Sequence, residues 1–65
     1  MTIILNGEAR DIEATMLDRA MIELGFGDAV VATALNGEFV AQSNRGVTPV
    51  EHGDQLEVLA PMQGG

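Results

Sequence analysis

Thr2-Ile3-Ile4-Leu5-Asn6-Gly7-Glu8-Ala9-Arg10-Asp11-Ile12-Glu13 is the stretch on which the fold turns. The apolar, β-branched run from Thr2 to Leu5 fits a buried strand. Asn6-Gly7 then favours the positive φ angles of a two-residue hairpin turn. Glu8 to Glu13 reads as a more polar returning strand, with Ile12 as its clearest inward residue. The same signal recurs at Asn36-Gly37. Val30 to Leu35 runs into it, apolar on both faces as a central strand is. Glu38 to Ala41 runs out of it as a short returning strand, with Phe39 expected as its anchor.

Between the hairpins lies a helix. Thr15 is expected to cap it, with Asp18 three residues on as the acidic member of a capping box. Leu17, Ala20, Met21 and Leu24 form one apolar stripe over about ten residues. Gly25 suits the left-handed position that ends a helix, and Phe26 would pack back on Met21 in a Schellman motif. After the second hairpin, Gln42 to His52 is polar and irregular. Pro49 bars a regular strand there, while Val47 and Val50 are expected to dip into the core. Gly53-Asp54 makes a turn, and Gln55 to Leu59 alternates with Leu56 and Val58 on one face. Hairpin, helix, hairpin, crossover and final strand together describe an α+β chain of the β-grasp kind. It is a mixed four- to five-stranded sheet with one packed helix, and the first and last strands lie at its centre. Residues 1–60 form the domain and 61–65 read as a flexible Gly-Gly tail.

Composition narrows the chemistry. The chain has 65 residues, no Cys and a single His. Disulfides and thiolate metal sites are excluded, and a zinc site is disfavoured. With neither Lys nor Tyr, the usual nucleophile-and-base constellations cannot be assembled. A domain of this size has little room for a substrate pocket of several hundred Å³. The sequence therefore points to a substrate or partner of an enzyme, not to an enzyme. A net charge of −7 repels nucleic acid and anionic membranes, so partners should present basic surface. The N-terminal stretch has no basic flank, and Ile3-Ile4-Leu5 is too short for a signal peptide or a span. The expected compartment is the cytoplasm.

The chemistry concentrates at Gly64-Gly65. Two glycines ending in a carboxylate make a thread without side chains, around which another protein's backbone can close. Pro61 stiffens its root, and from Pro61 to Gly65 the thread can reach about 16–18 Å. A carboxylate is a poor electrophile and needs activation before a nucleophile can enter. Ordering two glycines in a slot is costly, so the globular part should supply compensating contact. Leu59 is the expected docking residue on the open sheet face. Met62, Gln63 and Gly64 are the expected tail-recognition residues, and Gly65 is the attachment point.

The segments Ile4-Leu5-Asn6-Gly7-Glu8, Ala34-Leu35-Asn36-Gly37-Glu38-Phe39-Val40 and His52-Gly53-Asp54-Gln55-Leu56-Glu57-Val58, with Gly64-Gly65, resemble the ThiS-type sulfur carriers of bacterial thiamine biosynthesis. The resemblance covers the whole chain, and the closing segment is its most specific part. It implies a ubiquitin-like β-grasp fold and no bound cofactor. It implies that an E1-like, ThiF-type adenylating enzyme uses ATP to activate Gly65. A cysteine desulfurase or rhodanese-type donor then supplies sulfur, leaving a thiocarboxylate. A ThiG-type thiazole synthase takes that sulfur.

Two alternatives stay open within the class. One is the MoaD-type small subunit of molybdopterin synthase, whose members are usually longer. The other is a ubiquitin-like protein modifier, although without lysines it could not build chains on itself. A plain interaction domain is the third reading. The remaining polar residues read quietly. His52 is a loop residue, and Arg10, Arg19 and Arg45 are too scattered to hold phosphate. Glu8, Asp11, Glu13, Asp18 and Glu23 form a solvated face that could meet a basic groove.

Overall fold

Asn6 and Asn36 both adopt positive φ, 48° and 52°, and each is followed by a glycine at 86° and 83°. Asparagine and glycine tolerate that region best, which is why the two hairpins close where they do. In the computed structural model, which describes residues 1–60, the first hairpin joins β1 (Thr2–Leu5) to β2 (Glu8–Asp11). The second joins β3 (Ala32–Leu35) to β4 (Glu38–Val40). The last strand, β5 (Gln55–Leu59), inserts between them. The sheet order is β2-β1-β5-β3-β4, parallel only between β1 and β5. A mixed five-stranded sheet with the terminal strands innermost is the architecture expected from the sequence.

Helix α1 (Leu17–Glu23) packs on one face and buries Leu17, Ala20 and Met21. They meet Ile3, Leu5, Ile12, Val50, Leu56 and Val58 in one core. The helix ends as its sequence dictates. Gly25 takes φ 94°, its N–H reaches Ile22 O at 3.0 Å, and the Phe26 N–H reaches Met21 O at 2.8 Å. Those two bonds are the Schellman pair. The helix start differs from expectation. Met16, not Thr15, occupies the cap, and no side chain caps the first turn. Backbone pairing with residues 48–50 holds the helix start instead, and satisfies one first-turn N–H. Leu17 N–H donates to Thr48 O at 2.8 Å, and Val50 N–H donates to Thr15 O at 2.9 Å. Asp18 accepts from the neighbouring Arg19 N–H and does not close a capping box among the described residues.

Three apolar residues sit elsewhere than expected. Val30 is exposed and precedes β3, because β3 begins only where Ala32 meets Leu59, the last residue of β5. Val47 ends a 3-10 helix (Gln42–Val47) and is exposed, while Val50 alone dips into the core. Phe39 is 73% exposed, so it anchors nothing among the described residues. Its register explains this: Val40 pairs with Thr33 on the core face, and Phe39 pairs with Ala34 on the other. Leu24, half-buried, packs against the core at the end of the helix stripe, as expected.

The core face above β3 belongs to Arg45, read from sequence as one scattered cation. Arg45 is 8% exposed. Its Nε donates to Thr33 Oγ1 at 3.1 Å, and Nη2 donates to Val31 O at 2.7 Å. Thr33 Oγ1 in turn donates to Val40 O at 2.8 Å. This chain of bonds ties the 3-10 helix to both strands of the second hairpin. Arg45→Ala should cost about 1–3 kcal/mol in urea unfolding, the range for stranding buried hydrogen-bond partners. Arg45→Lys should recover little, since one ammonium cannot reproduce the guanidinium fork. A loss below about 0.5 kcal/mol would place Arg45 among indifferent surface residues. Glu23 also does more than face solvent: its carboxylate accepts from Glu13 N–H at 2.9 Å and Ala14 N–H at 3.0 Å, holding the loop before the helix.

Candidate functional site

The candidate site is the end of β5 and the sheet face without a helix. Alternation along β5 sends Leu56 and Val58 into the core and leaves Gln55, Glu57 and Leu59 exposed. Leu59, 64% exposed, lies on the helix-free face. Its cross-strand partner is Ala32, and Ala34 two residues on pairs with Phe39. Leu59, Ala32, Ala34 and Phe39 therefore share one face, with Ile4 half-buried on the same side of β1. Two large exposed apolar side chains on one face, Leu59 at the last position of β5 and Phe39 on β4, make a surface that water solvates poorly. Glu57 stands within this strip, opposite Ala34.

Sequence reasoning placed Leu59 here and missed Phe39. The strand's own pattern carries no signal for its facing, because Phe39 and Val40 are both apolar and β4 has only three residues. Met62, Gln63, Gly64 and Gly65, expected to recognise and carry the reactive group, lie outside the described residues, as does Pro61. His52 sits in an exposed turn, where its Nδ1 accepts the Thr2 N–H at 3.0 Å. It lies beside the start of β1, at the opposite end of β5 from Leu59.

The described residues contain no group of three or more His, Cys, Asp or Glu side chains that could hold a metal ion. A hollow lies between α1 and the 3-10 helix, lined in part by Asp18, Met21, Phe26 and Arg45. It is on the helix side of the sheet, away from Leu59. Among the described residues no helix is long and apolar enough to cross a membrane.

The family model described as the ThiS family matches residues 3–65. The chain belongs to the ThiS family. Among ThiS-family relatives, the sulfur carrier protein ThiS of Thermus thermophilus is 39% identical over 61 residues, covering 94% of this chain and 95% of that protein. A thiazole synthase of Paramagnetospirillum magneticum is 38% identical over 66 residues. All of this ThiS-family chain takes part in that match, but it spans only 20% of the synthase. The crystal structure of the thiamine biosynthesis protein ThiS of Geobacter metallireducens superposes with a TM-score of 0.86 at 28% identity, over the full length of both chains. A solution structure of a thiamine biosynthesis protein from the same organism gives 0.76 at 26% identity, over all of this chain and 88% of the other. The β-grasp expected from sequence is thus the fold that these ThiS structures share.

Proposed function

We propose that this chain is a sulfur carrier for thiazole formation in thiamine biosynthesis, acting as a covalent co-substrate and not as a catalyst. Membership of the ThiS family over residues 3–65 is the observation that carries this reading. A full-length relative named as a sulfur carrier supports it. The match to part of a thiazole synthase supports the same destination for the sulfur. A carrier-like segment joined to a synthase would gain effective concentration at the consuming site. The same evidence favours the thiazole branch over molybdopterin delivery.

The reactive group in this reading is the α-carboxyl of Gly65. Its oxygen attacks the α-phosphorus of ATP on a ThiF-type enzyme, and pyrophosphate leaves. The resulting acyl-adenylate exchanges a poor leaving group for AMP. The terminal sulfur of a donor persulfide, on a cysteine desulfurase or a rhodanese-type protein, then attacks the carbonyl carbon and expels AMP, giving an acyl disulfide. A thiol attacks the donor-side sulfur, breaks the S–S bond and supplies the two electrons that release the thiocarboxylate. The thiocarboxylate so formed holds sulfur tethered and nucleophilic for a ThiG-type synthase. Gly64, Gln63 and Met62 thread the enzyme's slot, the glycine by its lack of a Cβ. The chain needs no cofactor of its own, since the activating partner brings ATP.

Leu59 and Phe39 form the docking surface in this reading. A partner that covers them removes apolar area from water, and the surrounding negative charge selects a partner with basic surface around an apolar centre. Phe39→Ala and Leu59→Ala should each leave unfolding within about 0.5 kcal/mol of wild type, because both side chains are already solvated. Each should weaken binding to the adenylating partner by about 1–2 kcal/mol, roughly a 5- to 30-fold rise in Kd. Calorimetric titration of the purified pair checks this. Unchanged affinity in both variants would remove the helix-free face from the interface. The whole reading is tested by intact-mass analysis of the chain from cells making thiamine. Replacement of one oxygen by sulfur supports it, and lysine conjugates of higher mass would identify a protein modifier instead.

A further inference from the structure

We infer that Asn6 is a positioning residue for the C-terminal thread: its carboxamide sets how far β5 stays a strand before the thread begins. The inference rests on the reading of Gly65 as the reactive end, and it explains a pair of hydrogen bonds that a hairpin turn does not need.

β1 and β5 pair at only two positions, Ile4 with Gln55 and Leu5 with Leu56. The last backbone bond on that side runs from Asn6 N–H to Leu56 O at 2.9 Å. Beyond it the chain turns away into β2. Val58, two residues further along β5, still directs its N–H and C=O to the vacated side. Val58 is 7% exposed, and unpaired backbone groups at such a residue are costly. The Asn6 side chain answers both. Its Oδ1 accepts the Val58 N–H at 2.9 Å, and its Nδ2 donates to Val58 O at 3.1 Å. A carboxamide carries one acceptor oxygen beside one donor nitrogen, the same pair a neighbouring strand would offer. Asn6 therefore extends the sheet past the end of β1 using a side chain.

Asn36 does related work at the other end of β5. It accepts the Gln55 N–H at 2.9 Å and donates to Asp54 Oδ1 at 3.1 Å. The two turn asparagines thus hold β5 from opposite flanks and opposite ends. Only Asn6 holds the end from which the thread departs. β3 supports that end on its other flank, through the pairing of Ala32 with Leu59. Without Asn6, support on the β1 flank would stop at Leu56. Val58 and Leu59 would then be held on the β3 flank alone, over about 7 Å of extended chain. A partner charging Gly65 would then have to immobilise the root of the thread as well as its tip.

The test uses variants that keep the turns. Glycine accepts the positive φ of either position, so Asn6→Gly and Asn36→Gly remove side-chain bonds without forbidding a hairpin. The full chain is assayed with a ThiF-type adenylating enzyme, ATP and labelled pyrophosphate, at a temperature where circular dichroism shows each variant folded. Amide hydrogen exchange is followed in the isolated chain. In Asn6→Gly the Val58 amide should exchange at least about ten-fold faster, while the Leu5 amide keeps its rate. The KM for the carrier should rise about ten-fold, the scale set by ordering roughly one more backbone residue, with kcat within two-fold. Asn6→Asp keeps the acceptor but sets an oxygen against Val58 O, and should fall between glycine and wild type. Asn36→Gly should speed exchange at Gln55 and leave KM within two-fold.

An unchanged KM in Asn6→Gly overturns the inference, and so does an equal rise in Asn36→Gly, which would mark a general loss of stability. If the wild-type chain takes no AMP, the reading of Gly65 fails and the inference fails with it. If wild type is charged and Asn6→Gly is charged equally well, the inference fails alone.

Discussion

Gly65→Ala should reduce adenylation of this chain by about 100-fold or more, the scale on which a misplacement of about 1 Å affects a positioned reaction. Unfolding should stay within about 0.5 kcal/mol of wild type. The added methyl group widens a thread that the activating enzyme must enclose, and it restricts φ at the residue whose carboxylate must meet the α-phosphorus. Extending the chain by one residue should do as much damage by another route. It moves the carboxylate by about 3.3–3.6 Å, well beyond any in-line approach. Among the described residues the buried core runs from Ile3 to Val58. ATP–pyrophosphate exchange with the adenylating partner reads the rate, and a thermal melt reads the fold. A variant charged at the wild-type rate would show that the slot does not measure the terminus, and the proposed chemistry at Gly65 would lose its basis.

Leu56→Ala should have the largest effect on stability. Leu56 is fully buried on the central strand, and removing such a side chain costs about 2–5 kcal/mol through lost transfer energy and the cavity left behind. Total stability for 65 residues is roughly 3–10 kcal/mol. The substitution would therefore consume a large share of it, with a fall in Tm of at least about 10 °C. It should also impair charging indirectly, because β5 carries the reactive end. Urea unfolding checks the magnitude. A loss below about 1 kcal/mol would mean that the helix and sheet re-close over the site. Phe39→Ala removes a larger side chain from a strand of the same sheet and should cost almost nothing, because Phe39 is already in water. The contrast between the two separates residues that hold the sheet from a residue that presents it.

Phe39 also marks the boundary of what could be read in advance. Size and apolarity pointed it inward. In a three-residue edge strand the facing is instead decided by register, and register here is fixed by Thr33 lying opposite Val40 beneath Arg45. The pairing of Thr33 with Val40 lies within one hairpin, but the arginine that covers it comes from a separate element twelve positions on. The helix start failed for a similar reason. Thr15 has the chemistry of a cap, but the backbone of residues 48–50 reached the first turn instead.

The elements whose cause is local were legible in the chain itself. The two Asn-Gly turns, the glycine that stops the helix and the alternation of β5 each depend on torsions or side-chain direction within a few residues, and sequence specifies those directly. The proposal of Gly64-Gly65 as the group to charge likewise rests on a local property, what glycine lacks. Tertiary structure alone decided that Arg45 fills the core face of the second hairpin, that Phe39 joins Leu59 on the open face, and that Asn6 reaches 52 positions along the chain to hold Val58. Those outcomes depend on which backbone groups are left without partners once the sheet has assembled, and that is settled by packing between distant segments.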